Sequence, residues 1–219
     1  KEVIANTEIK EEHHIDKIVN AILSGDTVLL IDKVDKCIII GSRGWPSRGI
    51  GEPETETVIR GPRDGFTEVL KVNTTLVRRR IKDTNLKIIV KQVGRRSKTD
   101  VAIMYMDDIV DKSLLKELKE RLATLDIDSI PDSSVLESLI EDNYLSPFPQ
   151  IESTERPDAV AASLYEGRVA LIVDNSPFAL ILPATFGTLL QSSEDHYSRW
   201  AESSFVRLIR LFAVALTVL

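Results

Sequence analysis

Cysteine is close to absent from this 219-residue chain. Cys37 stands alone, so there is no internal disulfide and no thiolate metal cage, as fits a reducing compartment. Three isoleucines follow it at 38–40, and they imply burial rather than reactivity. Histidine is nearly as scarce. His13 and His14 are the one adjacent pair, and neighbours on a helix point in different directions, so no metal site is expected there. GxSxG, HExxH, a Gly-Lys-Ser/Thr phosphate loop and a dinucleotide glycine fingerprint are all missing. The sequence therefore gives no support for an enzyme or for a cofactor. Nor is positive charge in excess: 28 Lys and Arg against 34 Asp and Glu give a net charge of −6, which argues against nucleic-acid binding. The basic spots at 78–80 and 95–96 read as solvated surface. No apolar run reaches the roughly twenty residues of a membrane span.

What is present is an ordinary globular mixture, 43% hydrophobic and 28% charged, enough for one large domain or two small ones. Apolar residues at 15, 18, 19, 22 and 23 fall at helical spacing before Ser24-Gly25. Strands at 27–32 and 37–40 should pair as a hairpin, followed by a glycine-rich loop at 41–51. Trp45 in that loop is either a hydrophobic plug, the favoured reading, or a ligand platform. Residues 86–93 and 101–105 read as strands around a basic turn, and 111–125 as a helix with Leu114, Leu115, Leu118 and Leu122 on its buried stripe. Ile127 and Ile130 imply a short strand, and Ser133 or Ser134 the cap of a helix through Ile140.

The most information-dense stretch is RGPRDGFTEVLKVNTTLVRRRI at 60–81. Gly61, Pro62 and Gly65 force a turn, Asp64 sits where a helix N-cap belongs, and Phe66, Val69, Leu70, Val77 and Ile81 recur on one helical face. Arg60 and Arg63 are either an anion-binding or docking pair beside the turn, or simply a solvated loop. Further on, 144–158 carries Pro147, Phe148 and Pro149 in an extended connector expected to link two subdomains. Beyond it, VAASLYEGRVALIVDNSPFALIL at 160–182 can be laid without gaps on IVNAILSGDTVLLIDKVDKCIII at 18–40, Gly25 falling on Gly167 and Asp32 on Asp174. Two such hairpins could share one sheet.

The expected architecture is α/β in the mixed α+β sense, two subdomains that each pack a small sheet with helices. In that layout 1–82 begins an outer subdomain, 83–143 is an inserted α/β subdomain, 144–158 is the connector, 159–204 completes the outer subdomain, and 205–219 starts a membrane-proximal or transmembrane helix. Arg207 and Arg210 flank the closing apolar run as cytoplasmic residues do, although a buried C-terminal helix is the competing reading. With no initiating Met and an apolar run at its end, the chain reads as a piece of a longer protein.

The blocks RGPRDGF, NTTLVRRRI, EDNYLSPFPQIESTERPD, EGRVALIVDNSPFALILPATF and QSSEDHYSRW, in this order and spacing, resemble the soluble N-terminal domain of the A subunit of spore nutrient-germinant receptors, the GerA family. The resemblance covers nearly the whole chain. It implies a cytosol-facing domain ahead of membrane helices, in a complex with a transporter-like B subunit and a lipoprotein C subunit in the spore inner membrane. It also implies that the B subunit holds the nutrient and that the A subunit oligomerises into an ion-conducting channel. The domain would then serve assembly and signal transduction during germination. Gln191, Asp195 and Tyr197 would lie near the membrane, facing a neighbouring subunit. A rival reading is a small-molecule-binding domain with a cleft between the subdomains, lined by Trp45, Arg60 and Arg63.

Overall fold

The structure, a computed structural model, describes residues 9–32, 34–41, 49–142, 146, 148–189 and 200–218. Two compact units emerge, Lys1–Pro46 and Ser47–Leu219. Each combines a sheet with helices, so the chain is mixed α+β.

In the first unit, β1 (Ile9–Glu12), α1 (Ile15–Leu23), β2 (Thr27–Leu29) and β3 (Cys37–Ile40) give a three-stranded antiparallel sheet, ordered β1-β3-β2. Cys37 is buried, and its thiol donates to the Glu12 carbonyl at 3.4 Å. The second unit holds α2 (Leu70–Arg80), β4 (Leu86–Val93), β5 (Thr99–Met106), α3 (Lys112–Thr124), α4 (Ser133–Ile140), β6 (Glu152–Thr154), α5 (Pro157–Tyr165), β7 (Val169–Val173), β8 (Ala179–Leu182), α6 (Phe186–Leu189) and α7 (Trp200–Val218). Its sheet runs β4-β5-β7-β8-β6, each ladder antiparallel.

Alternation along the strands divides the core in two. Val101, Ile103 and Tyr105 of β5, with Val169, Leu171 and Val173 of β7, pack on Leu115, Leu118 and Leu122 of α3 and on Leu136 and Ile140 of α4. Ala102, Met104 and Met106, with Ala170 and Ile172, pack on Leu76 and Val77 of α2 and on Val160 and Leu164 of α5. A strand covered on both faces needs apolar residues at every position, which is why VALIV reads as a continuous run.

Several expectations need correction. The segment at 83–143 is no separate subdomain: β4 and β5 join β7 and β8 in one sheet. The connector does not join the two units, because the chain divides into them between Pro46 and Ser47, and its C-terminal half forms β6 and supplies Pro157 as the first residue of α5. There is no strand at 127–130. Its carbonyls at Ile127 and Asp128 instead accept from Arg95 N and Arg96 N in the β4–β5 turn, at 2.8 and 2.9 Å. Asp132, not a serine, caps α4.

The two hairpins lie in different sheets, yet the repeat they belong to extends further than the sequence alignment. Moved by the same offset, β1, α1, β2 and β3 fall on β6, α5, β7 and β8. The hairpin register is the same: Thr27 opposes Ile40 as Val169 opposes Leu182, and Leu29 opposes Ile38 as Leu171 opposes Leu180. So is the outer ladder, Lys10 against Ile39 and Glu152 against Ile181. Each helix stops at a glycine in the left-handed region, with φ of 85° at Gly25 and 81° at Gly167. The protein thus contains one βαββ module twice.

Among the described residues no helix is long and apolar enough to cross a membrane. In α7 the side chains of Phe205, Leu208, Ile209, Leu211 and Phe212 are exposed, which does not match a buried C-terminal helix.

Candidate functional site

Residues 49–69 form no helix or strand, and their path is held by backbone and by buried charge. Gly65 N donates to Gly51 O at 2.8 Å, and a Cβ at Gly65 would lie 3.1 Å from Pro53 N, so the two passes of the loop run close enough to crowd any side chain there. Phe66, buried, then donates its N–H to Glu155 O at 2.8 Å.

The arginine that holds the loop is Arg156, just before α5. Its side chain is 1% exposed. Nη1 donates to Glu56 O at 3.1 Å, while Nη2 donates to Pro62 O at 3.2 Å and to the Asp158 carboxylate at 2.9 Å. One planar fork therefore ties the GPRDG turn, the loop before it and the first turn of α5 together. Around it, Thr55 N donates to the Glu155 carboxylate at 3.1 Å and Thr154 Oγ1 to the Glu56 carboxylate at 2.7 Å.

Burial pushes the Glu56 carboxyl above its ordinary value, opposed by the Thr154 hydroxyl and the Arg156 charge and reinforced by Glu155 and Glu152. A carboxyl raised in the folded state contributes most below its unfolded pKa, and that contribution is lost as pH rises through the raised value. Urea unfolding from about pH 4 to about pH 7 should therefore show wild type losing stability relative to Glu56→Gln, which cannot ionise. Parallel pH profiles would contradict this assignment.

The turn does not start a helix at once. Asp64 is not an N-cap: its carboxylate accepts from Arg79 Nη2 at 2.8 Å and from Arg80 Nη2, both at the far end of α2. α2 begins at Leu70, four residues later than the buried Phe66, because its first N–H is capped from outside by Asp174 Oδ1 at 3.1 Å. Asn175 N, with φ of 68°, donates to Glu68 O at 2.8 Å beside it. Between turn and helix, the buried Asn73 side chain accepts from Thr67 N at 2.8 Å and donates to Thr67 O, as a backbone strand would. Replacing Asp174 by Ala removes the cap and should cost about 1 kcal/mol. An unchanged urea midpoint would show that the cap contributes nothing.

Of the residues singled out from sequence, Arg63 is exposed and pairs with Glu52 at 3.1 Å, and Arg60 is exposed. Phe148 and Pro149 are exposed too, with Phe148 N donating to Ser146 Oγ at 3.2 Å. Trp45, Pro147, Gln191, Asp195 and Tyr197 lie outside the described residues. Arg63 and Asp64 therefore face different partners. Sequence reasoning missed Arg156, Asn73 and Thr67. The one available signal for Arg156 was its place directly before Pro157, at the N-terminus of a helix.

Two open grooves lie along α3, of about 370 and 400 Å3. One is lined by Lys112, Lys116 and Lys119, the other by Lys91, Arg95 and Leu122, and neither by Arg60 or Arg63. No group of three metal-ligating side chains occurs among the described residues.

A family model described as Bacillus/Clostridium GerA spore germination protein matches residues 1–219. The chain is 44% identical over 216 residues to spore germination protein GerLA of Bacillus cereus, covering 99% of this chain and 44% of that protein. It is 43% identical to spore germination protein KA of Bacillus subtilis, covering 93% and 37%. A membrane protein of the same organism, YfkQ, is 45% identical over 91% of this chain and 39% of its own length. The chain thus spans less than half the length of these relatives, and none of the three has an enzyme's name. Among solved structures, the N-terminal domain of the A subunit of the Bacillus megaterium spore germinant receptor GerK3 is 46% identical, with a TM-score of 0.46, covering 56% of this chain and 97% of that one.

Proposed function

The chain belongs to the Bacillus/Clostridium GerA spore germination protein family, and from that membership we propose that it is a cytosol-facing domain of a germinant-receptor A subunit, serving receptor assembly and the coupling of nutrient sensing to ion release. The observation that carries this reading is the family match across the whole of residues 1–219. The geometry agrees with it: the charged side chains of the site are spent on holding three chain segments together, a task of positioning rather than of bond making. In this reading the partners are the receptor's B and C subunits and further A subunits, and the place of action is the spore inner membrane. The exposed apolar side chains of α7 then lead toward the membrane-embedded remainder of the subunit.

Assembly is tested by recovering B and C with a tagged full-length A subunit from solubilised spore membranes. Arg156→Ala, which unlocks the loop from α5, should lower their recovery at matched A-subunit abundance. Asp64→Ala, which breaks only the pairs with Arg79 and Arg80, should leave it unchanged. Full recovery with Arg156→Ala would remove the domain from assembly.

A further inference from the structure

Strand β4 ends the five-stranded sheet, so only one of its two edges is paired. Asp107 N donates to Asn85 O at 3.0 Å, and in an antiparallel ladder this phase directs the backbone groups of Lys87, Ile89 and Lys91 to β5. Ile88, Val90 and Gln92 therefore turn their N–H and C=O groups outward, where among the described residues no strand meets them. The side chain of Ile89 packs against the core on the α3 face, so Lys87 and Lys91 stand on that same face at either side of it. A row of unmet backbone donors and acceptors thus runs beside a helix that carries Lys112, Lys116 and Lys119.

The lysines of strand and helix face each other. Lys91 Nζ lies 3.5 Å from Lys119 O, and the Lys119 ammonium sits 5.1 Å over the Tyr105 ring. Lys112 pairs with Asp107 and Lys116 with Glu120, but exposed pairs of this kind contribute little. The Lys112 ammonium holds the Asp107 carboxyl below its ordinary value, and Lys87 and Lys119 push the same way, so charges from β4 and α3 act on one place. Lysines that merely guard an edge need stand only on the strand. Here a second set lines open grooves of about 370 and 400 Å3 along α3, in a chain whose net charge is −6.

We propose that this groove docks an acidic, extended segment of a partner protein, added antiparallel to β4 with a carboxylate residue opposite each of Lys87 and Lys91 and an apolar residue between them, opposite Ile89. The outward edge selects a polypeptide, because a strand supplies N–H and C=O groups at the matching period. The lysines select its charge. Opposite charges across a ladder stabilise it, whereas a basic strand is repelled and a neutral one leaves the ammonium groups without partners. On the outer side of β4, residues 87, 89 and 91 fall at the closely spaced positions without backbone bonds, where facing side chains come nearest. The segment recognised therefore reads acidic, any, apolar, any, acidic in successive residues. None of this uses the membrane role, and its test reads neither assembly nor ion release.

The test is titration of the whole 219-residue chain with a fluorescein-labelled peptide that carries two glutamates four residues apart around a central valine. Companion peptides replace both glutamates by glutamine, or the residues flanking the valine by proline, which cannot join a ladder. The glutamate peptide should bind at least about tenfold more tightly than either. Amide exchange at Ile88, Val90 and Gln92 should slow when it binds. Lys87→Glu with Lys91→Glu, checked for native circular dichroism, should weaken binding at least about tenfold. Lys10→Glu with Lys17→Glu, the same change of net charge in the first unit, should leave it unchanged. Three results would overturn the proposal: no saturable binding of the glutamate peptide, equal binding of the glutamine or proline peptide, or equal loss in the two lysine pairs. Reversal at 87 and 91 that weakens binding to phosphatidylglycerol vesicles but not to the peptide would overturn it as well, by giving the groove to a membrane surface.

Discussion

Replacing Arg156 by Ala should destabilise the chain by about 3–5 kcal/mol, the cost of leaving one partner of a buried pair without the other. The side chain is 1% exposed, so its loss withdraws a charged donor from the Asp158 carboxylate and donors from Pro62 O and Glu56 O at once. Arg156→Lys should recover only part of this, since one ammonium cannot reach three acceptors in the fork geometry. Urea unfolding of the 219-residue chain reads both values. A loss under about 1 kcal/mol for Arg156→Ala would mean that water replaces the guanidinium and that the loop is not clamped.

Asn73→Ala is the second large effect. Asn73 is fully buried inside α2, where asparagine is a poor helix former, and it is there because it satisfies both the N–H and the carbonyl of Thr67. Removing it leaves two buried backbone groups unpaired, at about 2–4 kcal/mol together. Asn73→Asp keeps the acceptor for Thr67 N but loses the donor to Thr67 O, so it should fall between. If Ala and Asp variants unfold at the wild-type midpoint, the contact is dispensable.

Both residues show where the sequence ceased to be readable. Elements with a strong apolar pattern were legible: the leucine stripe of α3, the apolar runs of β4 and β5, and the α5-β7-β8 succession with its glycine stop. The short strands β1 and β6, IKEE and EST, were not, because backbone pairing with β3 and β8 holds them and their side chains carry no period. The start of α2 was misplaced because its cap comes from Asp174, distant in sequence, rather than from the nearby Asp64. The repeat was visible in the pattern. Its assignment to two sheets was not, since that depends on β5 arriving from the middle of the chain to pair with β7. Charged residues such as Arg156 and Glu56 look like surface in a Pro- and Gly-rich stretch, and only the carbonyls they meet in space show otherwise.

The site residues divide accordingly. Arg156 and Asn73 shape the domain from inside, whereas Asp64 with Arg79 and Arg80 ties the turn to the end of α2 near the surface. Coupling is therefore best tested at Asp64. Nutrient-triggered cation release should be recorded from spores carrying full-length A subunit with Asp64→Ala, at wild-type abundance and with B and C still recovered alongside it. The account expects release to be slowed or lost. Release with the wild-type time course from such spores would contradict it.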